Sequence, residues 1–370
     1  HREHLGSRLG FILLSAGCAI GIGNVWKFPW MCGQNGGGSF MLLYIICLVV
    51  LGLPAMTMEF SVGRAAQASP IRMYQKLEKP GCKWGIFGIA SLIGNIALMA
   101  FYTVVTGWII YYFIKFLTGQ NADFGFTQMI TNPTVNVVFL LVTVVVAFAI
   151  LSFNLQGGLE RITKYMMLAL LVLMLVLAVH SFTLPGAGEG LSFYLIPHFS
   201  KITGSVVVGA MNQAFFTLSV GMGGMAIFGS YIEKEHSLMG ESVHIIVLDT
   251  LVAVLAGIIM FPACFTYGVD QTSGPSLIFI TLPNIFANMA LGRLWGTLFF
   301  LFMAFAALST VLAVFENIIC CGMELTGASR RKSSLVNLFL IIALSVPCVL
   351  GYNVWSWDGF AVFGGAGLGF

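Results

Sequence analysis

The sequence predicts an all-α integral membrane protein. Hydrophobic residues make up 58% of its 370 residues and charged residues only 8%, whereas soluble domains contain about 25% charged residues. Its apolar runs reach the roughly 20 residues that a helix needs to cross a bilayer, and they lack the alternating pattern of an outer-membrane barrel. The composition and the run lengths together favour a bundle of membrane-spanning helices.

Nine apolar runs are long enough to span the membrane. We place them at about residues 8–33, 38–62, 84–117, 134–153, 159–184, 205–231, 243–268, 293–323 and 335–352. A further run at residues 276–286 contains Pro283 and is too short to span, so we expect a re-entrant or interfacial hairpin there. The first run is too long and too interrupted for a secretory signal peptide, and none is expected.

The basic residues predict the orientation, because cytoplasmic loops of membrane proteins carry an excess of Lys and Arg. If the amino terminus is cytoplasmic, the inner side carries Arg2, Arg8, Arg64, Arg72, Lys76, Lys79, Lys83, Arg161, Lys164, Lys234, Arg330, Arg331 and Lys332. The outer side then carries only Lys115, Lys201 and Arg293, and Lys27 lies within the first run. We therefore expect a multi-pass protein of the cell membrane with a cytoplasmic amino terminus.

The reactive residues do not suggest an enzyme. The eight cysteines have neither metal-ligand nor disulfide spacing, so we expect free thiols and no metal site built from them. No His or Cys cluster has the spacing of a catalytic metal centre, and no nucleophile has an evident base. The net charge of +3 reflects the inner-side bias and gives no reason to expect a nucleic-acid partner.

Polar and helix-breaking residues within the apolar runs are the main functional signal, because lipid makes them costly and they usually face a cavity or another helix. They are Gly17, Gly21, Gly23, Asn24, Lys27 and Pro29 in the first run, Glu59, Tyr102 and Thr106 in the next two, Asn212, Gln213, Thr217 and Ser219 in the sixth, Asp249 in the seventh, and Ser309, Thr310 and Glu316 in the eighth.

Several of these residues allow a purely structural interpretation. Gly17 and Gly21 form a G-x-x-x-G pair, which is a common packing face between membrane helices. A hydroxyl such as that of Thr217 often bonds to a carbonyl of the preceding turn. For Glu59, packing and ion coordination are both open, whereas for Asp249 we favour ion coordination because an intramembrane carboxylate needs a partner.

Two runs contain clustered breaks. Glycine and polar residues interrupt the first run between Gly17 and Pro29, and the sequence QAFFTLSVGMGG interrupts the sixth run at residues 213–224. We expect unwound backbone at about residues 19–24 of the first run and near residues 219–223 of the sixth. Helices five spans apart enter the membrane in opposite directions. Two discontinuous helices with this relationship indicate an inverted repeat with a binding site near the midplane, where unwound backbone supplies amides and carbonyls to ligands.

These segments resemble the signatures of the neurotransmitter:sodium symporters, and most closely those of bacterial amino-acid transporters of the leucine-transporter type. The similar segments are REHLGSRLGFILLSAGCAIGIGNVWKFP, QNGGGSFMLLYIICLVVLGLPAMTMEFSVGR, NQAFFTLSVGMGG and AALSTVLAVFE, in the family's order. The resemblance implies one transporter domain over residues 1–370 with an inverted five-helix repeat. The first repeat would cover about residues 1–184, and the second, without its final helices, about 205–370.

The resemblance implies two sodium sites. The first would use the Ala19 carbonyl, Asn24, Thr217, Asp249 and the substrate carboxylate. The second would use carbonyls of Gly17, Ile20 and Ala306 with the hydroxyls of Ser309 and Thr310. Each group offers an oxygen, which hard cations prefer. Chloride-dependent relatives are expected to have a neutral residue near Asp249, so we expect this protein not to need chloride.

The resemblance also implies an amino-acid site. The substrate carboxylate would lie near the Gly23 amide and the Tyr102 hydroxyl, and its ammonium near Ala19, Phe216, Thr217 and Ser219. The substrate side chain would contact Ile22, Leu98, Tyr102, Phe216, Met222, Val311 and Val314. This lining is apolar except for the Tyr102 hydroxyl, so it predicts a hydrophobic or aromatic amino acid as substrate.

Two positions refine the expected substrate. Amine-specific relatives are expected to carry an aspartate at the position of Gly21, so the glycine implies a substrate that brings its own carboxylate. Met222 stands where the leucine-transporter pattern has phenylalanine. A thioether adapts to differently shaped partners, so Met222 predicts broad hydrophobic specificity.

The resemblance implies that four residues act in gates. Lys27 stands where the family has the arginine of the outer gate, and a lysine lacks that residue's bidentate fork. Arg2, Tyr231 and Glu324 match the cytoplasmic latch, although Leu5 replaces its usual tryptophan. We expect sodium-coupled uptake of hydrophobic amino acids. Carriage of another carboxylate-bearing solute and a non-cycling, amino-acid-gated channel or sensor are the alternatives.

Overall fold

The computed structural model describes residues 7–120, 125–153, 156–270 and 277–354. Within these ranges every regular element is helical. Seven helices are long and apolar enough to cross a membrane, and a bent pair of helices at the start of the chain forms an eighth span. The prediction of an all-α membrane bundle is confirmed.

The nine predicted spans correspond to helices with slightly different ends. The first span consists of Arg8–Ala19 and Gly23–Gln34, and the next four are Gly38–Ala66, Gly85–Thr118, Pro133–Ser152 and Gly158–Phe182. The sixth is divided into Gly204–Thr217 and Gly224–Gly229, which are individually too short to span. The last three are Leu238–Tyr267, Gly292–Thr326 and Arg330–Gly351.

The first span is broken at the predicted place. Its first helix ends at Ala19, and the extended backbone of Ile20, with φ −76° and ψ 108°, interrupts the helical hydrogen bonds. The chain resumes as a π-helix at Gly23–Lys27 and continues as an α-helix over Phe28–Gln34. The two halves are bent by 55°. The break covers residues 20–22, so it is narrower than the predicted interval of 19–24.

The sixth span is broken by backbone that a right-handed helix does not accept. Three of the turn residues between Thr217 and Gly224 have positive φ: Ser219 at 52°, Gly221 at 92° and Gly223 at 72°. Glycine adopts this conformation at little cost, whereas serine is strained in it. The break predicted at residues 219–223 is therefore confirmed, and the structure extends it by one residue to 218.

The two breaks lie next to each other inside the bundle. The Ser219 hydroxyl donates to the carbonyl oxygen of Cys18 across the two breaks, at 3.1 Å. The eighth span runs through the centre of the bundle, and most of its residues are buried. It packs against the third span, where Gly296 leaves room for the ring of Phe116. This packing places the third and eighth spans beside both breaks.

The short apolar run before the eighth span does not cross the membrane. It forms two short helical segments, Leu277–Thr281 and Leu282–Asn288; Ser276 lies outside the described residues. The Tyr112 hydroxyl donates to the Phe279 carbonyl at 2.6 Å, which ties the first segment to the third span. The segment thus packs on the bundle, and its re-entrant or interfacial position stays a prediction.

Candidate substrate and sodium site

A cavity of about 280 Å³ lies where the two breaks meet. The first half of the first span and the first half of the sixth end at it. At the first break the carbonyls of Gly17 and Cys18 accept hydrogen bonds from the hydroxyls of Thr310 and Ser219, because the Gly21 and Ile22 amides donate to other acceptors. The residues that line the cavity are Cys18, Ala19, Gly21, Gly23, Leu98, Tyr102, Phe215, Phe216, Thr217, Ser219, Val220, Met222 and Thr310. The cavity therefore combines free backbone groups with an apolar wall.

The structure brings together three of the side chains predicted for the first sodium site. The Asn24 amide donates to Asp249 Oδ1 at 2.8 Å. The Thr217 hydroxyl lies within hydrogen-bonding distance of both carboxylate oxygens of Asp249. Asn24 and Asp249 are fully buried, and Thr217 nearly so. Three separate spans thus supply a concentrated set of oxygen atoms around one buried carboxylate, beside the cavity wall that contains Ala19.

Two further side chains at this cluster were not predicted as site residues. The Tyr44 hydroxyl lies 3.5 Å from Asp249 Oδ2, and the Gln213 amide donates to the Gly23 carbonyl at 3.0 Å. The sequence marks Gln213 as an intramembrane polar residue, but its partner is far away in the chain. Tyr44 lies in a continuous apolar run, and no pattern in that run singles it out.

The second predicted set of sodium ligands is also assembled. The Ser309 hydroxyl lies 3.1 Å from the Ile20 carbonyl oxygen and 2.9 Å from that of Ala306. The Thr310 hydroxyl lies 3.3 Å from the Gly17 carbonyl oxygen and 3.1 Å from that of Ile20. Because of the break at Ile20, the carbonyls of Gly17 and Ile20 face the eighth span. All five predicted groups therefore meet at one place.

Gly21 lies where no side chain fits. A Cβ atom there would be 2.4 Å from Thr310 Oγ1 and 2.6 Å from the Tyr102 hydroxyl. The Gly21 amide donates to Asn24 Oδ1 at 3.1 Å, and the Ile22 amide donates to the Tyr102 hydroxyl at 3.0 Å. Gly17 also packs closely, with a Cβ position 3.0 Å from Thr163. The glycines serve packing and carbonyl exposure together, so both interpretations of the G-x-x-x-G pair apply.

Eight of the eleven residues predicted for the substrate site line the cavity: Ala19, Gly23, Leu98, Tyr102, Phe216, Thr217, Ser219 and Met222. The other three, Ile22, Val311 and Val314, are buried but are not among the lining residues. Thr310, and neither of the two valines, is the eighth-span residue that lines the cavity. Cys18, Phe215 and Val220 line the cavity without having been predicted.

Glu59 forms a hydrogen bond with the backbone at the break in the sixth span. Its carboxylate accepts a hydrogen bond of 2.6 Å from the Gly221 amide. Asn95, which was not predicted, donates to the Met222 carbonyl at 2.9 Å. The structure thus places the Glu59 carboxylate against the unwound backbone of the sixth span.

The predicted gate residues have clear partners. Lys27 Nζ lies 3.6 Å from the centre of the Phe216 ring at the cavity. The Tyr231 hydroxyl donates to Glu316 at 2.8 Å, and Glu324 accepts hydrogen bonds from the amide and the hydroxyl of Ser69 at 2.8 and 2.6 Å. Arg2 and Leu5 lie outside the described residues.

The fold and the site define a class of protein. Two broken helices that meet at a buried polar cavity within a helical membrane bundle are the architecture of a secondary transporter. A family model described as the sodium:neurotransmitter symporter family matches residues 2–122 and 124–362. The chain belongs to this family. It is a multi-pass, sodium-dependent membrane transporter, and its relatives are transporters rather than enzymes.

Individual relatives agree with this assignment. The chain is 34% identical to YhdH, an uncharacterized sodium-dependent transporter of Bacillus subtilis, over 95% of this chain and 79% of that protein. It is also 34% identical to an uncharacterized sodium-dependent transporter of Haemophilus influenzae, over 96% of this chain and 81% of the relative. The crystal structure of MhsT in complex with L-phenylalanine superposes with a TM-score of 0.87 at 36% identity, covering 96% of this chain and 82% of that one.

Proposed function

We propose that this transporter moves hydrophobic and aromatic α-amino acids into the cell together with sodium. The observation that carries the proposal is the mixed lining of the cavity at the helix breaks. The lining combines the Tyr102 hydroxyl and the backbone around Gly23 with the apolar side chains of Leu98, Phe216 and Met222. A zwitterionic head group needs the polar groups and an apolar side chain needs the apolar ones. The similar structure that holds L-phenylalanine supports the same substrate class.

The lack of room for a side chain at Gly21 supports a substrate that carries its own carboxylate. No acidic side chain fits at this position without moving Thr310 or Tyr102, so the protein itself supplies no anion at this point of the wall. The carboxylate of an amino acid takes that place beside the amides that follow the break, where the start of a helix favours negative charge.

Two sodium ions accompany the substrate in this proposal. The residues fit the ion, since both clusters consist of carboxylate, amide, hydroxyl and carbonyl oxygens, the donors that hard cations prefer. Asn24, Thr217, Asp249 and Ala19 hold the first ion, which the substrate carboxylate completes. Gly17, Ile20, Ala306, Ser309 and Thr310 hold the second. The shared carboxylate couples sodium binding to amino-acid binding, because neither site is complete without the other ligand.

Asp249 removes the need for chloride. It is the carboxylate within the cluster of Asn24, Thr217 and Tyr44, and it supplies a negative charge next to the first sodium site. In a low-dielectric interior such a charge offsets much of the cost of two bound cations. The amino terminus is cytoplasmic in this proposal, which the distribution of basic residues supports.

Binding and uptake separate this function from its alternatives. Purified protein in proteoliposomes accumulates phenylalanine, leucine or valine above the external concentration only under an inward sodium gradient. A sensor binds these amino acids in sodium but does not accumulate them, and a channel lets them equilibrate without accumulation. The proposed substrate is tested by measuring the binding of several solutes in sodium buffer. It is contradicted if a betaine or a non-α amino acid binds and the hydrophobic α-amino acids do not.

A further inference from the structure

The turn that breaks the sixth span is held by three polar contacts from other spans. Ser219 donates to the Cys18 carbonyl at 3.1 Å, and the Gly221 amide donates to Glu59 at 2.6 Å. Asn95 donates to the Met222 carbonyl at 2.9 Å. The first two contacts lie before Met222 in the chain, and the third is on Met222 itself. Asn95 therefore fixes the one residue of the turn whose long side chain lines the apolar wall.

Asn95 does this from outside the cavity. It is 1% exposed and is not among the residues that line the cavity. It lies one turn before Leu98 and two turns before Tyr102 on the same face of the third span, and both of these residues line the wall. A second hydrogen bond of 2.9 Å to the Ser91 carbonyl holds the Asn95 amide in place. Asn95 thereby sets the distance between the third span and the turn.

The turn has little structure of its own to replace this contact. Residues 218–223 are not helical, and three of them have positive φ, so the Met222 carbonyl does not take part in a regular helical ladder. A carbonyl that lacks a donor inside a membrane protein is costly, and the backbone moves to find another one. Without Asn95 the turn shifts, and the Met222 side chain shifts with it.

We infer that Asn95 is a positioning residue that determines substrate selectivity by fixing Met222 against the substrate side chain. This inference rests on the proposed function, because it requires a hydrophobic amino acid in the cavity. A fixed methionine sets the space that Met222 and Leu98 leave for the substrate side chain, and it penalises side chains that are too large or too small. A released methionine adapts to each side chain, since its thioether is flexible.

The test is the ratio of the binding affinities for phenylalanine and valine at saturating sodium. We expect Asn95→Ala and the milder Asn95→Ser to change this ratio by about threefold to tenfold, which lies in the lower part of the usual range of coupling between residues in contact. The sodium concentration for half-maximal binding stays within about twofold of the wild-type value, because Asn95 touches none of the proposed sodium ligands. Asn337→Ala is the matched control: its buried amide bonds to the Ser333 carbonyl one turn back in the ninth span, and the ratio stays at the wild-type value.

A double-mutant cycle tests whether Asn95 acts through Met222. In a Met222→Ala background, Asn95→Ala leaves the ratio unchanged if the inference is right. An equal effect of Asn95→Ala in both backgrounds overturns it, as does a wild-type ratio in Asn95→Ala. A wild-type ratio in Met222→Ala alone also overturns it, even if the Asn95 variants do not fold. These failures differ from failure of the proposed function, in which the wild-type protein binds neither amino acid.

Discussion

The Thr217 hydroxyl oxygen lies 3.1 Å from one carboxylate oxygen of Asp249 and 3.2 Å from the other. Thr217 is the last residue of the first helix of the sixth span, and Asp249 lies in the middle of the seventh. The end of the broken helix therefore carries a hydroxyl directly to a buried carboxylate. This contact links the break in the sixth span to the charge that we assign to the first sodium site.

Changing Asp249 tests its role as a counter-charge. We expect wild-type transport to be unaffected when gluconate replaces chloride, and Asp249→Asn to be impaired and newly dependent on chloride, because the neutral amide no longer offsets the charge of the sodium ions. Sodium-driven uptake of both proteins in chloride and in gluconate measures this. Loss of wild-type transport in gluconate contradicts the assignment, and lower stability with coupling intact identifies a packing role instead.

Sodium and amino acid should strengthen each other's binding by the same factor. The first sodium site and the substrate share the substrate carboxylate, so occupation of either raises the affinity for the other, typically by about 5- to 150-fold. Titrations of phenylalanine in sodium and in choline, and of sodium with and without phenylalanine, give the two factors. Equal amino-acid affinity in sodium and choline rules out the shared ligand.

Met222→Phe should narrow the apolar part of the cavity. A rigid ring in place of the flexible thioether leaves less room, so we expect the affinity for phenylalanine to fall by more than the affinities for leucine and valine. Competition binding at constant sodium measures the three affinities. Met58→Phe is the control, because Met58 is exposed on the outside of the second span and lies away from the cavity. An unchanged profile in Met222→Phe means that this position does not touch the substrate.

Thr310→Val should weaken sodium binding. The substitution keeps the shape of the side chain and removes the hydroxyl that faces the carbonyls of Gly17 and Ile20. We expect the sodium concentration for half-maximal substrate binding to rise about tenfold, as is common when a metal site loses an interaction. Thr143→Val is the matched control, since the buried Thr143 hydroxyl donates to the Phe139 carbonyl within its own helix. A wild-type sodium dependence in Thr310→Val excludes this hydroxyl as a ligand.

The ion pair between Glu316 and Arg330 should be important for stability. Glu316 is fully buried and its carboxylate also accepts a hydrogen bond from Tyr231, whereas the Arg330 side chain is 12% exposed. Arg330→Met leaves a buried carboxylate without its cation, which typically costs about 3–5 kcal/mol. Thermal unfolding in detergent should therefore occur at a clearly lower temperature, and adding Glu316→Gln should restore part of the loss. The exposed Arg331→Met is the control, and equal melting of the two single variants contradicts the prediction.

The sequence by itself determined the membrane class, the approximate limits of the spans, and the places where two of them break. These properties are local: run length, the density of charged residues, and the glycines and polar groups at residues 17–24 and 219–224. The family signatures added candidate sodium ligands, and the structure brings their side chains together in two clusters. Even here the local pattern did not separate the packing role of Gly17 from its carbonyl role, because both follow from a missing side chain.

Only the tertiary structure decided which distant groups meet. Tyr44 and Gln213 join the Asp249 cluster and the first break across long stretches of chain, and Asn95 reaches Met222 from another span. Such contacts depend on how the helices are rotated and offset against one another, and a single sequence carries no periodic signal for a partner more than 100 residues away. The same packing brings Thr310 to the cavity wall, while its neighbour Val311 points in a different direction. Val314 lies one turn further along the helix on the same face as Thr310 and is not among the lining residues.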